Sequence, residues 1–193
     1  MLELGTKAPD FVLPDVVTGN AVSLHDFADK KALLVIFLCA HCPYVIHVKP
    51  ELARIGHDYG DEGLAIVAIT ANDVAEYPQD APEPTARFAR EAGFNFPVCY
   101  DESQSVAKAY SAACTPDFFL FGPDRTLLYR GQLDDSRPNR KNKPGVGELN
   151  GADLRAAIDA VLNGQPVAVQ QKASIGCNIK WKPGNEPNYY QHG

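Results

Sequence analysis

Two uninterrupted apolar runs dominate the chain, residues 32–38 (ALLVIFL) and residues 64–70 (LAIVAIT). Runs of this length, bounded by turn formers, read as strands buried on both faces. Between them the period changes. Val45, Val48, Leu52, Ile55 and Tyr59 recur at steps of three and four, with Gly60 and Gly63 after them. That spacing predicts one apolar face of a helix, which the glycines end.

Further along, residues 71–84 are rich in Asn, Asp and Pro and read as a loop. A helix is predicted over 85–92, closed by Gly93, then a short strand over 96–100 and a helix over 103–113. Residues 117–121 and 126–130 flank Gly122-Pro123-Asp124-Arg125, which predicts a hairpin. Asn150 is the expected cap of a last helix carrying Leu154, Ile158, Val161 and Leu162, with Gly164 after it. Near the start, Ala8-Pro9-Asp10-Phe11 reads as extended, and Val22-Ser23-Leu24 leads to a short turn or helix near His25 to Phe27. Two β-α units followed by a hairpin and a helix imply an α/β fold, a mixed sheet with helices on both faces. Residues 1–164 form the expected domain. Residues 165–193 form an irregular tail that sustains no apolar period and holds Cys177 and the single tryptophan, Trp181. Trp181 suggests that this tail packs on or near the domain.

The chemistry concentrates where the first buried run meets the helix, at Cys39-Ala40-His41-Cys42-Pro43. A thiol at a helix N-terminus meets unpaired backbone N–H groups and the positive end of the helix dipole, and both favour the thiolate. Composition adds limits. An apolar fraction of 45% and a charged fraction of 22% are those of a globular chain. A net charge of −6 argues against a nucleic-acid partner. No stretch approaches the roughly 20 apolar residues of a membrane span, and the start shows no cationic segment followed by an apolar one. No membrane partner and a cytoplasmic location are therefore expected. Five cysteines in a reducing compartment point to catalysis or metal binding rather than to a disulfide framework.

These residues resemble the thioredoxin fold, specifically its AhpC/TSA (alkyl hydroperoxide reductase/thiol-specific antioxidant) branch. The resemblance runs from the APDF segment at residues 8–11 to the helix ending near Leu162, and Thr115-Pro116 before FFLF is part of it. It implies a cis-proline at Pro116 facing the active-site cysteine. The tail sequence SIGCNIKWKPGN resembles a thioredoxin-like subgroup with a CxHCP motif. Two departures matter. Pro50 lies where thioredoxins carry a helix proline relative to the nucleophile, which makes Cys42 the nucleophile and leaves Val45 where a resolving cysteine would stand. Cys39 occupies the position of the peroxiredoxin threonine, a better hydrogen-bond donor, and no arginine lies in Cys114-Thr115-Pro116-Asp117.

Cys42 is thus read as the attacking thiolate, against the alternative of an inert core cysteine. Cys39 is read either as the thiol that resolves Cys42 or as a small apolar residue ending the strand. Cys114 and Cys177 are further resolving candidates, the latter folding back or reaching another subunit. Cys99 is read as core. His41 either lowers the Cys42 pKa or shuttles its proton, or else is a plain loop residue. His47 reads as a surface residue, Arg130 and Arg137 as partners of Asp134 and Asp135 in a salt-bridge network, and the run 137–143 as a solvated loop.

The expected function is a thiol-based oxidoreductase with antioxidant character, acting on a peroxide or a disulfide and needing no cofactor. Cys42-Pro43 matches the peroxiredoxin pattern better, which tilts this reading towards peroxide. A dithiol protein is the expected reductant. Two alternatives stand beside it. One is soft-metal binding, copper or zinc on Cys39, Cys42 and a histidine, as in copper chaperones of this fold. The other is a redox-inert interaction module.

Overall fold

The computed structural model describes residues 2–190, so the last three tail residues fall outside the described ones. Both apolar runs are central strands, β3 (Ala32–Phe37) and β4 (Leu64–Thr70), every residue of them buried. They are parallel, joined by helix α1 (Pro43–Tyr59). A second crossover through α2 (Pro82–Ala92) leads to β5 (Val98–Tyr100), parallel to β4. The hairpin of β7 (Asp117–Phe121) and β8 (Leu127–Gly131) completes a five-stranded mixed sheet in the order β5-β4-β3-β7-β8. Its β7 runs antiparallel to β3. This is the thioredoxin-type arrangement that the sequence predicts.

Alternation along the strands divides the core. Leu34, Ile36 and Leu38 face a cluster built with α1, α2 and α4 (Ala152–Leu162). Leu33, Val35 and Phe37 face the other cluster, with Phe11 and Leu13 from the opening segment, α3 (Ser105–Ala109) and Ile179 and Trp181 of the tail. The five predicted face residues of α1 are all buried. Two short pairings lie outside the main sheet. β1 (Val12–Pro14) pairs with β2 (Ala21–Ser23), and β6 (Cys114–Thr115) pairs with β9 (Cys177–Asn178) of the tail.

Several boundaries differ from expectation for local reasons. Helix α2 begins at Pro82 instead of Thr85, because a proline fits the first helical turn without losing a bond. Helix α3 is far shorter than 103–113. Gln104 at φ 63° and Ser111 at φ 50° bracket it, and neither backbone can continue a right-handed helix. Asn150 is not the N-cap of α4. Gly151 holds that position at φ 67°, while the Asn150 side chain accepts the Ala152 N–H at 3.0 Å. β5 starts only after Pro97, and β8 only after Thr126.

Candidate active site

Cys42 is the N-cap of α1, with extended backbone (φ −69°, ψ 124°) as the following proline requires. Pro43 opens the helix, so Cys42 faces its free N–H groups. The thiol is 0% exposed and donates to the Thr115 carbonyl at 3.1 Å. The Thr115–Pro116 peptide is cis, as the resemblance implies. The Thr115 hydroxyl meets the Cys39 sulfur at 3.3 Å. Thr115 therefore touches both thiols of the motif, one through its side chain and one through its backbone.

These contacts split the two acidities. The neighbouring Cys39 thiol is the main influence holding the Cys42 pKa well below the ordinary thiol value. Burial opposes it; the Val45 N–H, in the first turn of α1, and the Cys177 thiol and N–H reinforce it. The Thr115 carbonyl also opposes ionisation, since it accepts from the thiol and repels the thiolate. Cys39 moves the other way. Its bond to Cys42, its burial and the charge of Asp80 all push its pKa up. One thiol is shifted towards its thiolate and its neighbour is kept protonated.

Asp80, from the loop before α2, organises the turn. It is 0% exposed, and one carboxylate oxygen accepts the Ala40 N–H at 2.9 Å and the His41 N–H at 3.3 Å. The other bonds His41 Nδ1 at 2.6 Å and accepts from Asn72 at 2.8 Å. His41 also stacks on Tyr77, ring centroids 5.6 Å apart. The histidine is therefore fixed by Asp80 and Tyr77, and is not a free loop residue. The sequence offers no periodic signal for Asp80 or Asn72. Their trace is only that a polar loop placed after a buried strand needs buried partners.

The remaining candidates separate. Cys177 lies on β9, opposite Thr115 in the strand register, and its thiol and N–H favour the Cys42 thiolate. Cys114 is buried with its thiol directed at the Pro116 carbonyl (3.5 Å), and burial pushes its pKa up. Cys99 is core, as read from the sequence. His47 is half-buried and bonds the Ser136 hydroxyl at 2.9 Å, so it is not a plain surface residue. Arg137 binds the carbonyls of Asp134 and Ser136 and the Gln132 side chain, whereas Asp135 pairs with Lys172. The expected network of Arg130 and Arg137 with the two acids is absent among the described residues, because the guanidinium of Arg137 is taken up by neutral oxygens.

Ligand atoms of Cys39, His41 and Asp80 lie within 4.8 Å of one another, a set able to hold a soft or borderline metal ion. In the structure these groups are engaged with one another, through the short His41–Asp80 bond, and with Cys42 and Thr115. No helix among the described residues is long and apolar enough to cross a membrane.

Comparison with known proteins agrees with this geometry. An uncharacterized conserved protein of Geobacillus kaustophilus is 51% identical, with a TM-score of 0.89 over 95% of this chain and 94% of that one. A hypothetical protein of Sinorhizobium meliloti is 49% identical, with a TM-score of 0.89 over 94% and 96%. The thiol-disulfide oxidoreductase ResA of Halalkalibacterium halodurans is 28% identical over 117 residues, 60% of this chain. The match spans 61% of that relative's length. The Redoxin family model matches residues 3–147, which include both motif cysteines and the cis-proline, and the chain belongs to the Redoxin family.

Proposed function

We propose that this chain is a thiol-disulfide oxidoreductase in which Cys42 is the attacking group. One observation carries the reading: a fully buried sulfur stands at the N-cap of α1, next to the motif thiol and the tail strand, where its pKa is lowered despite burial. The Cys42 thiolate attacks one sulfur of a disulfide. A mixed disulfide forms, and the other sulfur leaves as a thiolate and takes up a proton. A second thiol of the chain then attacks Cys42, releases the bound half as a thiol, and leaves an intramolecular disulfide. A dithiol protein reduces that disulfide and restarts the cycle. The similarity to a relative named a thiol-disulfide oxidoreductase supports this choice of substrate.

A second reading keeps Cys42 and changes the substrate to a hydroperoxide. Attack on the O–O bond gives a Cys42 sulfenic acid and an alcohol or water. The observation that favours it is the tail strand over Cys42, which admits a small reactant more readily than a large one. Rates with oxidised glutathione and with hydrogen peroxide, measured on the reduced protein, separate the two. Faster oxidation by glutathione disulfide is the expected result. Full turnover in a Cys42→Ser variant would falsify both readings.

A further inference from the structure

We propose that the thiol closing onto Cys42 is Cys177 of the tail rather than Cys39 of the motif, and that β9 exists to deliver it. The inference rests on the reading of Cys42 as nucleophile and names its resolving partner.

The placement is built. The tail is tied down on both sides of β9. Before it, Ser174 donates to the Gly131 carbonyl at 2.6 Å. After it, Ile179 N–H donates to the Ala113 carbonyl and Lys180 N–H to the Asn72 side chain. The Lys180 carbonyl accepts the Asp73 N–H and the Gln104 amide. Trp181 is buried in the core cluster beneath. Between these anchors Gly176 passes so close to Thr115 that a Cβ there would stand 2.1 Å from the Thr115 carbonyl oxygen. Only glycine permits that approach. The next residue is Cys177, opposite Thr115, whose carbonyl accepts the Cys42 thiol at 3.1 Å, so the β6–β9 pairing sets Cys177 beside Cys42.

Cys39 is poorly suited to attack. It follows the central strand β3 by two residues, is almost fully buried, and faces the negative charge of Asp80, which opposes a second thiolate there. Cys177 is only half-buried and sits on a two-residue strand in an irregular segment. Burial and the neighbouring Cys42 sulfur push its pKa up to about 11, partly offset by Lys180 and Arg140, and the part due to Cys42 falls away once Cys42 has reacted. Cys39 serves better as the donor that keeps Cys42 ionised.

The chemistry balances with either oxidant. With a disulfide RSSR, Cys42 becomes Cys42–S–S–R and one RSH departs. The Cys177 thiolate then attacks the Cys42 sulfur, a Cys42–Cys177 bond forms, and the second RSH departs. With a hydroperoxide ROOH, Cys42 sulfenic acid and ROH form, and Cys177 displaces water. In both cases the two protein thiols lose two electrons and the oxidant gains them.

The test uses the full reduced chain, mixed in separate reactions with one equivalent of oxidised glutathione or hydrogen peroxide. Each is quenched over time and mapped by non-reducing peptide mass spectrometry. The expected product is a Cys42–Cys177 linked peptide. A Cys177→Ser variant is expected to stop at glutathionylated or sulfenic Cys42, with the second step slowed at least 100-fold. Cys39→Ser is expected still to form the linked peptide. A Cys39–Cys42 disulfide as the main wild-type product, or an unslowed second step in Cys177→Ser, overturns this inference and leaves Cys42 as nucleophile. Cys42 unmodified by both oxidants overturns the underlying reading as well.

Discussion

Cys42 and Cys99 are both 0% exposed, one at the N-cap of α1 and the other in the middle of β5, yet their acidities diverge. Cys99 pairs with Ile69 across the β4–β5 ladder. Burial, joined by the charge of Asp15, pushes its pKa up to about 12. Cys42 has the same burial and a lowered pKa, because donors from the motif, the first helical turn and the tail strand surround its sulfur. Burial alone makes a thiol inert. Burial among fixed donors makes a thiolate, since the donors act in a medium where water does not compete with them.

The sharpest way to break this contrast is to remove the nucleophile. Cys42→Ser is expected to reduce disulfide turnover to background, whereas Cys99→Ala leaves it unchanged; steady-state rates of the two variants decide. The next is to remove the main donor. A hydrogen bond to a charged group is worth about 1.5–3 kcal/mol, so Cys39→Ala should raise the midpoint of Cys42 alkylation by about one to two pH units. In the wild type the lowered pKa puts that midpoint below the ordinary thiol value of about 8.5, with the rate rising as the thiolate forms. A midpoint unmoved in Cys39→Ala would show that the helix and the tail suffice.

Asp80→Ala acts one step further out. It leaves the part-buried N–H groups of Ala40 and His41 and the buried Asn72 amide without their carboxylate partner, with a stability loss of about 2–4 kcal/mol, and it frees His41. Denaturant midpoints measure the first effect. The pH profile of Cys42 alkylation measures the second, because a merely structural loss would not change its shape.

This residue also marks how far the sequence could be read. β3 was legible as an uninterrupted apolar run and α1 by apolar residues recurring with the period of a buried helix face, and the motif lies at their junction. The hairpin was legible from its turn. Asp80 was not, because it sits in a polar loop whose fold is fixed by bonds to the backbone of a distant turn. The tail was obscure for the same reason. Lys180 is held through its backbone N–H and C=O, and those contacts leave no pattern in residue type. Cys177 could be named as a candidate, but its place opposite Thr115 follows from that pairing.

The smallest effect extends the contrast to a carboxylate. Asp117, just after the cis-proline, is buried, and burial raises its pKa to about 6 even with the Ala113 N–H bonded to it. The folded value lies above the unfolded one, so this group's stabilising contribution is present below about pH 4 and lost as pH rises through about 6. The loss is on the order of 2–3 kcal/mol. Asp117→Asn should remove that pH dependence, leaving thermal stability at pH 7.5 equal to or above that of the wild type. A steeper decline in the variant would place the effect elsewhere.

The pairing of β9 with β6 also has a consequence in time. Cys42 and the strand that covers it are far apart in the order of synthesis. At roughly 5–20 residues per second, Cys42 leaves the ribosome on the order of ten seconds before Cys177. For that interval a newborn chain owns its nucleophile and its motif donor without the third thiol. Any oxidant or protein thiol nearby then meets a simpler reagent than the finished protein, and a chaperone that shields the nascent motif would protect chemistry as well as folding.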